Sequence, residues 1–327
     1  MQKILFIIDE LELKYFEFNR LVTNFWLIKC LLERGYEVLI TVKNLLYLDG
    51  GIPMARAYDS ISKNENIFKG DTLKTICLND FDTIFMRPDP PVDIDYINAT
   101  YILSCVNTEK TLILNSPQAL RDFNEKLYIN KFPSLAPKNI VSADKNIIKE
   151  FLFKEEEIII KPLNRCFSSG VFYLNREDKN INAIIDTATN NGKTSVMVQK
   201  FLKGIMKGDK RLIFIGGEIF EYAVRKVATN NDFKFNEHIK ENLIKGDLTP
   251  EEKLIEKQIA NTLLSDGVYI AGLDVIDGKI IEINITSPCF FINEINSLYN
   301  INFENIVTDK ILQVMNNAKK RLCVGVL

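Results

Sequence analysis

The chain has 327 residues, of which 46% are hydrophobic and 26% charged, and its formal net charge is −2. This composition is that of a globular protein large enough for two or three domains, and the evenly spread charge argues against a general nucleic-acid or membrane surface. Six cysteines without metal-binding spacing fit free thiols in a reducing cytoplasm, and the single histidine, His238, argues against a histidine metal site or a Ser-His-Asp triad unless His238 itself takes part.

The N-terminal elements predict an open α/β domain. Residues 3–8 are a continuous apolar run typical of a buried parallel strand. This run is too short for a signal peptide, and no other apolar run reaches the roughly 20 residues of a membrane span. An amphipathic helix over residues 20–33, stopped by Gly35, and a strand over residues 36–42 complete a βαβ unit. The first strand is not followed by a GxGxxG motif, so no dinucleotide site is predicted.

A strand over residues 81–87 ends in the sequence RPDPP. Because open α/β sheets bind ligands beyond the carboxyl ends of their strands, Arg87 and Asp89 are placed to contact one. A rigid proline turn with a surface ion pair is an equally good interpretation of the same residues.

The next elements are a helix over residues 96–106, a strand over residues 111–115 and a further helix over residues 118–128. Ser116 is suited to cap the last of these helices. The same helix carries Arg121, Asn124 and Lys126.

From about residue 137 the pattern becomes richer in strands. A strand over residues 157–162 carries Lys161 at the end of an apolar run, where its ammonium group either snorkels to solvent or faces a phosphate. Further strands are predicted at residues 171–174, 195–202, 208–215 and 219–224. Residues 226–250, rich in Asn, Lys and Glu, predict a mobile loop.

Two helices are predicted in the C-terminal part. Thr249 is suited to cap a helix that reaches about residue 264, and a final helix covers residues 303–318.

Between these helices, the sequence GLDVIDGKIIEINITSP predicts a β-hairpin around an Asp-Gly turn. Pairing across the turn brings the carboxylates of Asp274 and Glu282 near each other, and Asn284 lies on the same face as Glu282. Two carboxylates and an amide oxygen suit Mg²⁺ held jointly with nucleotide phosphates. Spacing alone fits, slightly better, a surface hairpin whose polar face is only hydrated.

Five segments together resemble the prokaryotic glutathione synthetases of the ATP-grasp superfamily. They occur in order and at the spacing of that family: IFMRPDPPVDIDYINATYIL (84–103), NSPQALRDFNEKLY (115–128), IIIKPL (158–163), GDKRLIFIGGE (208–218) and GLDVIDGKIIEINITSP (272–288). The resemblance implies an α/β ATP-grasp fold with an N-terminal open α/β domain (1–121), a lid subdomain (122–202) and a catalytic subdomain (203–327).

The resemblance also implies a carboxylate–amine ligase that uses ATP and Mg²⁺, with Mn²⁺ as an alternative metal. ATP would phosphorylate a carboxylate, and an amine would displace the phosphate to form an amide; the family joins γ-glutamylcysteine to glycine and so forms glutathione. Such phosphoryl transfer depends on positioning and charge neutralisation and needs no histidine.

The site residues follow from the same resemblance. Nucleotide binding is implied for Lys126, Lys161, Ser169, Gly170, Gln199, Lys200, Phe201, Leu202 and Asp209. Catalytic roles are implied for Arg211 and Asn284, and metal binding for Asp274, Glu282 and Asn284. Substrate binding is implied for Arg87, Asp89, Arg225, Asn236 and Ser287.

Two loops depart from the family pattern. The loop over residues 163–170 keeps only its last glycine, and Arg165 and Phe167 stand where close backbone approach to phosphate is expected, so that Arg165 would contact phosphate through its side chain. Residues 231–242 are bulkier and more charged than the glycine- and alanine-rich acceptor loop of the family. The acceptor amine and the carboxylate substrate are therefore left open.

Three functions are compatible with the sequence: a glutathione synthetase, a similar ligase for another peptide or amine, and an ATP-binding protein that has lost its catalytic activity. The joint presence of the lysines, the arginine and the hairpin residues argues against the third. The expected partners are a small-molecule or dipeptide substrate and an amino acid, with no nucleic acid and no membrane. A cytoplasmic homo-oligomer, a dimer or tetramer, is expected.

Overall fold

The computed structural model of the chain describes residues 2–18, 22–63, 66–165, 169–227 and 243–324. Within these ranges the chain forms three β-sheets with helices packed against them. Each sheet is built from one continuous part of the chain. The predicted α/β class is confirmed.

The first sheet contains eight strands: β1 (Lys3–Ile8), β2 (Glu37–Val42), β3 (Leu46–Asp49), β4 (Ile52–Lys63), β5 (Asn66–Lys69), β6 (Lys74–Cys77), β7 (Thr83–Met86) and β8 (Leu112–Leu114). Strands β2, β1, β7 and β8 lie side by side in parallel, and β4 pairs antiparallel with β2. Its helices are α1 (Glu10–Lys14), α2 (Thr23–Glu33), α3 (Ile94–Leu103) and α4 (Pro117–Asp122). The predicted βαβ opening is confirmed, and the parallel order places the carboxyl ends of β1 and β7 at one edge.

The second sheet contains four antiparallel strands in the order β11-β10-β12-β9: β9 (Asn139–Ser142), β10 (Glu157–Pro162), β11 (Phe172–Asn175) and β12 (Val196–Lys200). Helices α5 (Lys145–Glu155) and α6 (Ile181–Ala188) pack on it. Ile148, Ile158 and Val198 belong to a small apolar core that this sheet and its helices form by themselves.

The third sheet contains six antiparallel strands: β13 (Asp209–Ile215), β14 (Glu218–Ile219), β15 (Val224–Lys226), β16 (Leu243–Lys245), β17 (Ile270–Ile276) and β18 (Lys279–Asn284). Strand β13 lies at its centre, between β15 and β17. Its helices are α7 (Pro250–Lys253), α8 (Ile255–Ser265), α9 (Ile292–Tyr299) and α10 (Phe303–Val324). Among the described helices, we find none that is both long enough and apolar enough to cross a bilayer.

The first and third sheets share their apolar cores. One core joins Leu5 and Ile84 of the first sheet to Leu273 of the third, and another joins Phe6 to Ile213. The two sheets are thus packed as one body, because apolar surface from both is removed from water at the same place.

Asn115, directly after β8, links the two sheets through hydrogen bonds of its buried side chain. Its Nδ2 donates to the carbonyl oxygens of Ile270 and Ile285, each at 2.7 Å. Its Oδ1 accepts from the backbone N–H groups of Tyr269 and Ile270, each at 2.8 Å. Both N–H groups and both oxygen lone pairs of this amide group are therefore hydrogen-bonded to backbone groups in or next to the third sheet.

The predicted helix over residues 118–128 is wrong in its second half. Helix α4 ends at Asp122 because Asn124 Oδ1 accepts from the backbone N–H groups of Lys126 at 3.1 Å and Leu127 at 3.3 Å, a turn that competes with the helix. Ser116 does not cap the helix with its side chain. Its backbone N–H instead donates to the Gly267 carbonyl oxygen at 2.9 Å.

The structure also differs from two other predictions, the loop over residues 226–250 and the helix over residues 249–264. Strand β16 pairs with β15, so residues 243–245 are not loop, while residues 228–242 lie outside the described residues. The helix predicted from Thr249 is divided into α7 and α8, and its capping by Thr249 is confirmed, with Glu252 completing a capping box.

Candidate active site

The hairpin of β17 and β18 is present as predicted. Asp274 pairs with Glu282 across it, and Gly272 pairs with Asn284. Asp277 and Gly278 at the turn have φ angles of 49° and 71°, which is the left-handed geometry of a type I′ turn. The hydrated surface interpretation is wrong for Asp274, which is only 7% exposed.

Four donors surround the Asp274 carboxylate. Arg211 Nε donates to Oδ1 at 2.7 Å and Arg211 Nη2 to Oδ2 at 2.9 Å, a bidentate pair. Lys226 Nζ donates to Oδ1 at 3.2 Å, and Asn284 Nδ2 to Oδ2 at 3.2 Å. Each oxygen thus accepts two hydrogen bonds, which is about the capacity of a carboxylate.

The neighbouring charges determine the ionisation of Asp274 and of the side chains around it. Burial acts to raise the pKa of Asp274, but the guanidinium of Arg211 and the ammonium of Lys226 outweigh it and hold that pKa well below its usual range. For Lys226, burial acts to lower the pKa, and the carboxylates of Asp209 and Asp274 outweigh it and raise the pKa. Asp274 and Lys226 are therefore charged rather than neutral, while burial raises the pKa of Asp209.

The position of Arg211 depends on close packing at Gly272. A Cβ atom at Gly272 would lie 2.9 Å from Pro288 Cβ and 3.0 Å from Arg211 Cδ. Arg211 Nη1 donates to the Cys289 carbonyl oxygen at 3.3 Å. The guanidinium is therefore held from two sides, by the hairpin and by the segment after it.

Lys126 and Lys161 lie near Glu282, from two different parts of the chain. Lys126 Nζ donates to Glu282 Oε1 at 3.1 Å and to the Arg165 carbonyl oxygen at 2.7 Å. Lys161 pairs with Met197 through the backbone ladder of β10 and β12, and its side chain is largely buried, with the residue 8% exposed. Burial lowers the pKa of Lys161, while the carboxylate of Glu282 acts to raise it. A buried ammonium of this kind is suited to an anionic ligand.

Glu125 was not singled out from the sequence. Its Oε1 accepts from the backbone N–H groups of Ile285 at 2.8 Å and Thr286 at 3.0 Å, and from Thr286 Oγ1 at 2.9 Å. Burial and the nearby Glu282 raise the pKa of Glu125. Its only sequence signal is its place next to Lys126 in the segment NEKLY. Its contacts fix the segment that follows Asn284.

The residues predicted to contact the nucleotide base lie at the end of β12 in the second sheet and directly after it. Gln199 is buried and its Nε2 donates to the Ile281 carbonyl oxygen at 3.3 Å. The Lys200 side chain pairs with Glu155 at 3.1 Å and is 44% exposed. Phe201 and Leu202 lie beyond β12, whose predicted end at residue 202 is thus two residues too long.

Gly170, with a φ angle of 73°, follows Ser169 in a turn. A Cβ atom at Gly170 would lie 2.9 Å from Pro162 Cγ, so a glycine is needed here. Asp209 is placed at the edge of the Asp274 cluster by its ion pair with Lys226 at 2.5 Å.

Arg87 lies at the carboxyl edge of the first sheet, as predicted. Its Nε donates to Asn24 Oδ1 at 2.9 Å, and its Nη2 donates to the Pro288 carbonyl oxygen at 3.1 Å. Asn24 Nδ2 in turn donates to both carboxylate oxygens of Glu12, at 3.1 and 2.8 Å. The surface interpretation is wrong for Arg87, which is 2% exposed. Asp89 is close by, and its backbone N–H donates to Asp9 Oδ2 at 2.6 Å.

The remaining predicted substrate residues are not gathered into one group. Ser287 is half-buried in the segment after β18, beside Pro288 whose carbonyl oxygen contacts Arg87. Arg225 Nη1 donates to the Lys207 carbonyl oxygen at 3.5 Å, and strand alternation turns Arg225 away from the face that carries Lys226. Asn236 lies outside the described residues.

Two family descriptions match the sequence. "Prokaryotic glutathione synthetase, N-terminal domain" matches residues 2–121, and "Prokaryotic glutathione synthetase, ATP-grasp domain" matches residues 125–300. Of the curated relatives named glutathione synthetase, that of Vibrio cholerae is 35% identical over 281 residues, or 85% of this chain and 88% of the relative. That of Nostoc sp. is 40% identical over 211 residues, or 64% of this chain and 65% of the relative.

Two solved structures show the same fold at low sequence identity. D-cycloserine synthetase DcsG superposes with a TM-score of 0.65 at 14% identity and covers 98% of this chain and 99% of its own. D-alanyl-alanine synthetase A of Vibrio cholerae superposes with a TM-score of 0.62 at 13% identity and covers 97% of this chain and 99% of its own. With the sequence matches and the charged cluster around Asp274, these findings lead to one conclusion: the chain belongs to the prokaryotic glutathione synthetase family of ADP-forming ATP-grasp ligases.

Proposed function

We propose that this ATP-grasp ligase joins γ-glutamylcysteine to glycine and so forms glutathione. The observation that carries the proposal is the convergence of Arg211, Lys126 and Lys161 on the carboxylates of the β17–β18 hairpin. Transfer of a phosphoryl group to a carboxylate requires cationic side chains and metal-binding oxygen atoms on one face of the site. The choice of substrates is supported by the family to which the chain belongs.

The hairpin has side-chain oxygen atoms that are suited to coordinate a divalent cation. Asn284 Nδ2 is fixed by the Gly272 carbonyl oxygen and by Asp274 Oδ2, each at 3.2 Å, so Asn284 Oδ1 is left for other contacts. Glu282 has Oε2 beyond the oxygen that binds Lys126. In the described ranges no three His, Cys, Asp or Glu residues form a metal-binding group. The remaining ligands would then be phosphate oxygens and water, as Mg²⁺ prefers.

We assign the metal site to Asp274, Glu282 and Asn284, with Mg²⁺ as the metal and Mn²⁺ as an alternative. The ion would neutralise charge on the phosphates of ATP. The assignment to Asp274 requires one of its four donors to give way.

The nucleotide would lie between the second and third sheets. Lys126 and Lys161 would contact its phosphates, since both ammonium groups lie near Glu282 and Lys161 is buried. The backbone from Gln199 to Leu202 would contact adenine, with Ser169 and Gly170 in the loop over the phosphates and Asp209 on the ribose or substrate side. Arg211 would stabilise the transferred phosphoryl group, assisted by Asn284.

The dipeptide would lie at the carboxyl edge of the first sheet. Arg87 is the candidate for its carboxylate, because its guanidinium is buried and positioned by Asn24 and Pro288. Asp89 is the candidate for its amino group. Ser287 lies in the segment that joins this edge to the hairpin, with Arg225 and Asn236 on the acceptor side.

The domain boundaries at residues 121 and 202 belong to the same proposal. They assign the first sheet to substrate binding, the second to a lid and the third to catalysis. We also propose a cytoplasmic homo-oligomer, a dimer or tetramer, that binds neither nucleic acid nor membrane.

A second candidate function is ligation to a different amine. It is favoured by the sequence of residues 231–242, NDFKFNEHIKEN, which has no glycine or alanine and would leave less room around a small acceptor.

Measurement of ADP release with ATP, Mg²⁺, γ-glutamylcysteine and a panel of amino acids tests both candidates. The expected result is ADP release that depends on glycine, with glutathione identified by mass spectrometry. Turnover with another amine and not with glycine would replace the first candidate with the second. ATP binding by calorimetry without turnover on any amine would contradict both.

A further inference from the structure

Lys226 has a place in the site that the sequence did not assign to it. Its ammonium group lies between two carboxylates, 2.5 Å from Asp209 Oδ2 and 3.2 Å from Asp274 Oδ1. All three side chains are largely buried, with exposed fractions of 11%, 14% and 11%. A lysine in such a position is a fixed positive charge between two acids.

The strand register sets this arrangement. Asp209 pairs with Lys226 across β13 and β15, and Arg211 pairs with Asp274 across β13 and β17. Asp209 and Arg211 are two residues apart on the central strand and share one face. A Cβ atom at Gly208 would lie 2.3 Å from the Lys226 carbonyl oxygen, so the chain just before Asp209 passes very close to the backbone of β15.

The charges in this group balance. Asp209 and Asp274 carry two negative charges, and Arg211 and Lys226 carry two positive charges. A cation that approaches Asp274 therefore meets a neutral cluster in which both carboxylate oxygens already accept hydrogen bonds.

Among the four donors on Asp274, Lys226 and Asn284 make the longer contacts, each at 3.2 Å, and only Lys226 has a second carboxylate as an alternative partner. Arg211 holds Asp274 through two shorter bonds, at 2.7 and 2.9 Å, and Asn284 donates as a neutral amide. If Lys226 left Asp274 Oδ1, its ammonium group would keep its shorter ion pair with Asp209. The cost of vacating Oδ1 is thus smallest for Lys226.

We propose that Lys226 is a built-in cation that competes with the divalent metal for Asp274. In this arrangement the ammonium group neutralises Asp274 until the metal arrives with the nucleotide, and it is then retained by Asp209 beside the phosphates. Lys226 is thus a positioning residue of the metal site, and this inference rests on the proposed function.

The proposal predicts the sign of a binding measurement. Removing a positive charge about 3 Å from a partly buried carboxylate strengthens the attraction of that carboxylate for another cation. The Lys226→Met variant should therefore bind Mn²⁺ at least about tenfold more tightly than the wild type. A lysine with only a structural role would leave the affinity unchanged or, through a distorted site, lower it.

Titration of Mn²⁺ followed by electron paramagnetic resonance, with and without a non-hydrolysable ATP analogue, measures this directly and needs no turnover. Lys226→Arg retains the charge and should bind Mn²⁺ as the wild type does. Lys203→Met, which removes a lysine charge with a side chain 84% exposed, controls for the net charge of the protein. Lys226→Gln serves in place of Lys226→Met if circular dichroism shows that the latter is unfolded.

Unchanged or weaker Mn²⁺ binding by the folded Lys226→Met or Lys226→Gln variant would overturn the inference, while ADP release by the wild type would leave the proposed function standing. The inference would also be overturned if Lys203→Met bound Mn²⁺ as tightly as Lys226→Met does. Failure of the wild type to bind Mn²⁺ with the ATP analogue and to release ADP would instead contradict the proposed function, and the inference with it.

Discussion

Replacement of Glu12 by Gln should make the stability of the protein less dependent on pH. Glu12 lies in α1, with its carboxylate held by Asn24 Nδ2. Burial raises the pKa of Glu12 from 4.5 to about 7, with the carboxylate of Asp89 acting in the same direction and Arg87 and Asn24 opposing it.

The sign of the effect follows from the two states of the chain. Because the pKa of Glu12 is higher in the folded protein, the unfolded chain ionises first as the pH rises. The stability contributed by the protonated carboxyl is fully present below about pH 4.5 and is lost as the pH rises through about 7. A pKa raised from 4.5 to about 7 corresponds to about 3 kcal/mol.

The side chain introduced by Glu12→Gln is neutral at every pH, so the variant does not lose this stability as the pH rises. Relative to the wild type, its free energy of unfolding should therefore increase by about 2.5 kcal/mol between about pH 5 and about pH 8.5. Urea unfolding followed by the fluorescence of Trp26, the single tryptophan, measures the difference.

Glu10→Gln, at an exposed position of the same helix, controls for the loss of a carboxylate from the surface. An equal difference between Glu12→Gln and wild type at both pH values would refute the reasoning, because Glu12 would then ionise alike in the folded and unfolded chain.

Three further substitutions test other parts of the molecule. Glu282→Gln should lower metal-dependent ADP release on the order of 100-fold in a variant that still folds, since the negative charge at the metal is lost; a near-normal rate would refute the metal assignment. Arg165→Ala should raise KM for ATP about tenfold if its guanidinium contacts phosphate, and unchanged kinetics would show that only the backbone of this loop is needed. Asn115→Ala should destabilise the protein by about 3–5 kcal/mol in urea unfolding, because four backbone hydrogen bonds lose their partner. A loss below about 1 kcal/mol would show that water replaces the amide.

The parts of the fold that local sequence determines were predictable. Residues 3–8 predict a buried parallel strand because they form a continuous apolar run, and Asp277-Gly278 predicts a turn because both residues tolerate a positive φ. The cap at Thr249 was likewise visible from residues three positions apart.

Features that depend on distant parts of the chain were not predictable. The burial of Asp274 depends on Arg211, 63 residues away, and the placement of Arg87 depends on Asn24, also 63 residues away. Spacing within the hairpin could not decide between a metal site and a hydrated surface, since both give the same local pattern. Lys226 and Glu125 gave no signal of their own, because a single charged residue in a strand or turn is ordinary on a protein surface.

The side-chain hydrogen bonds of Asn115 determine which parts of the molecule can swing apart. Separating the first sheet from the third would break four buried hydrogen bonds and divide two shared cores. The second sheet has a core of its own, and it reaches the other sheets through Met197, which belongs to a shared core, and through the contact from Gln199 to Ile281. The first and third sheets should therefore separate less readily from each other than the second sheet does from either.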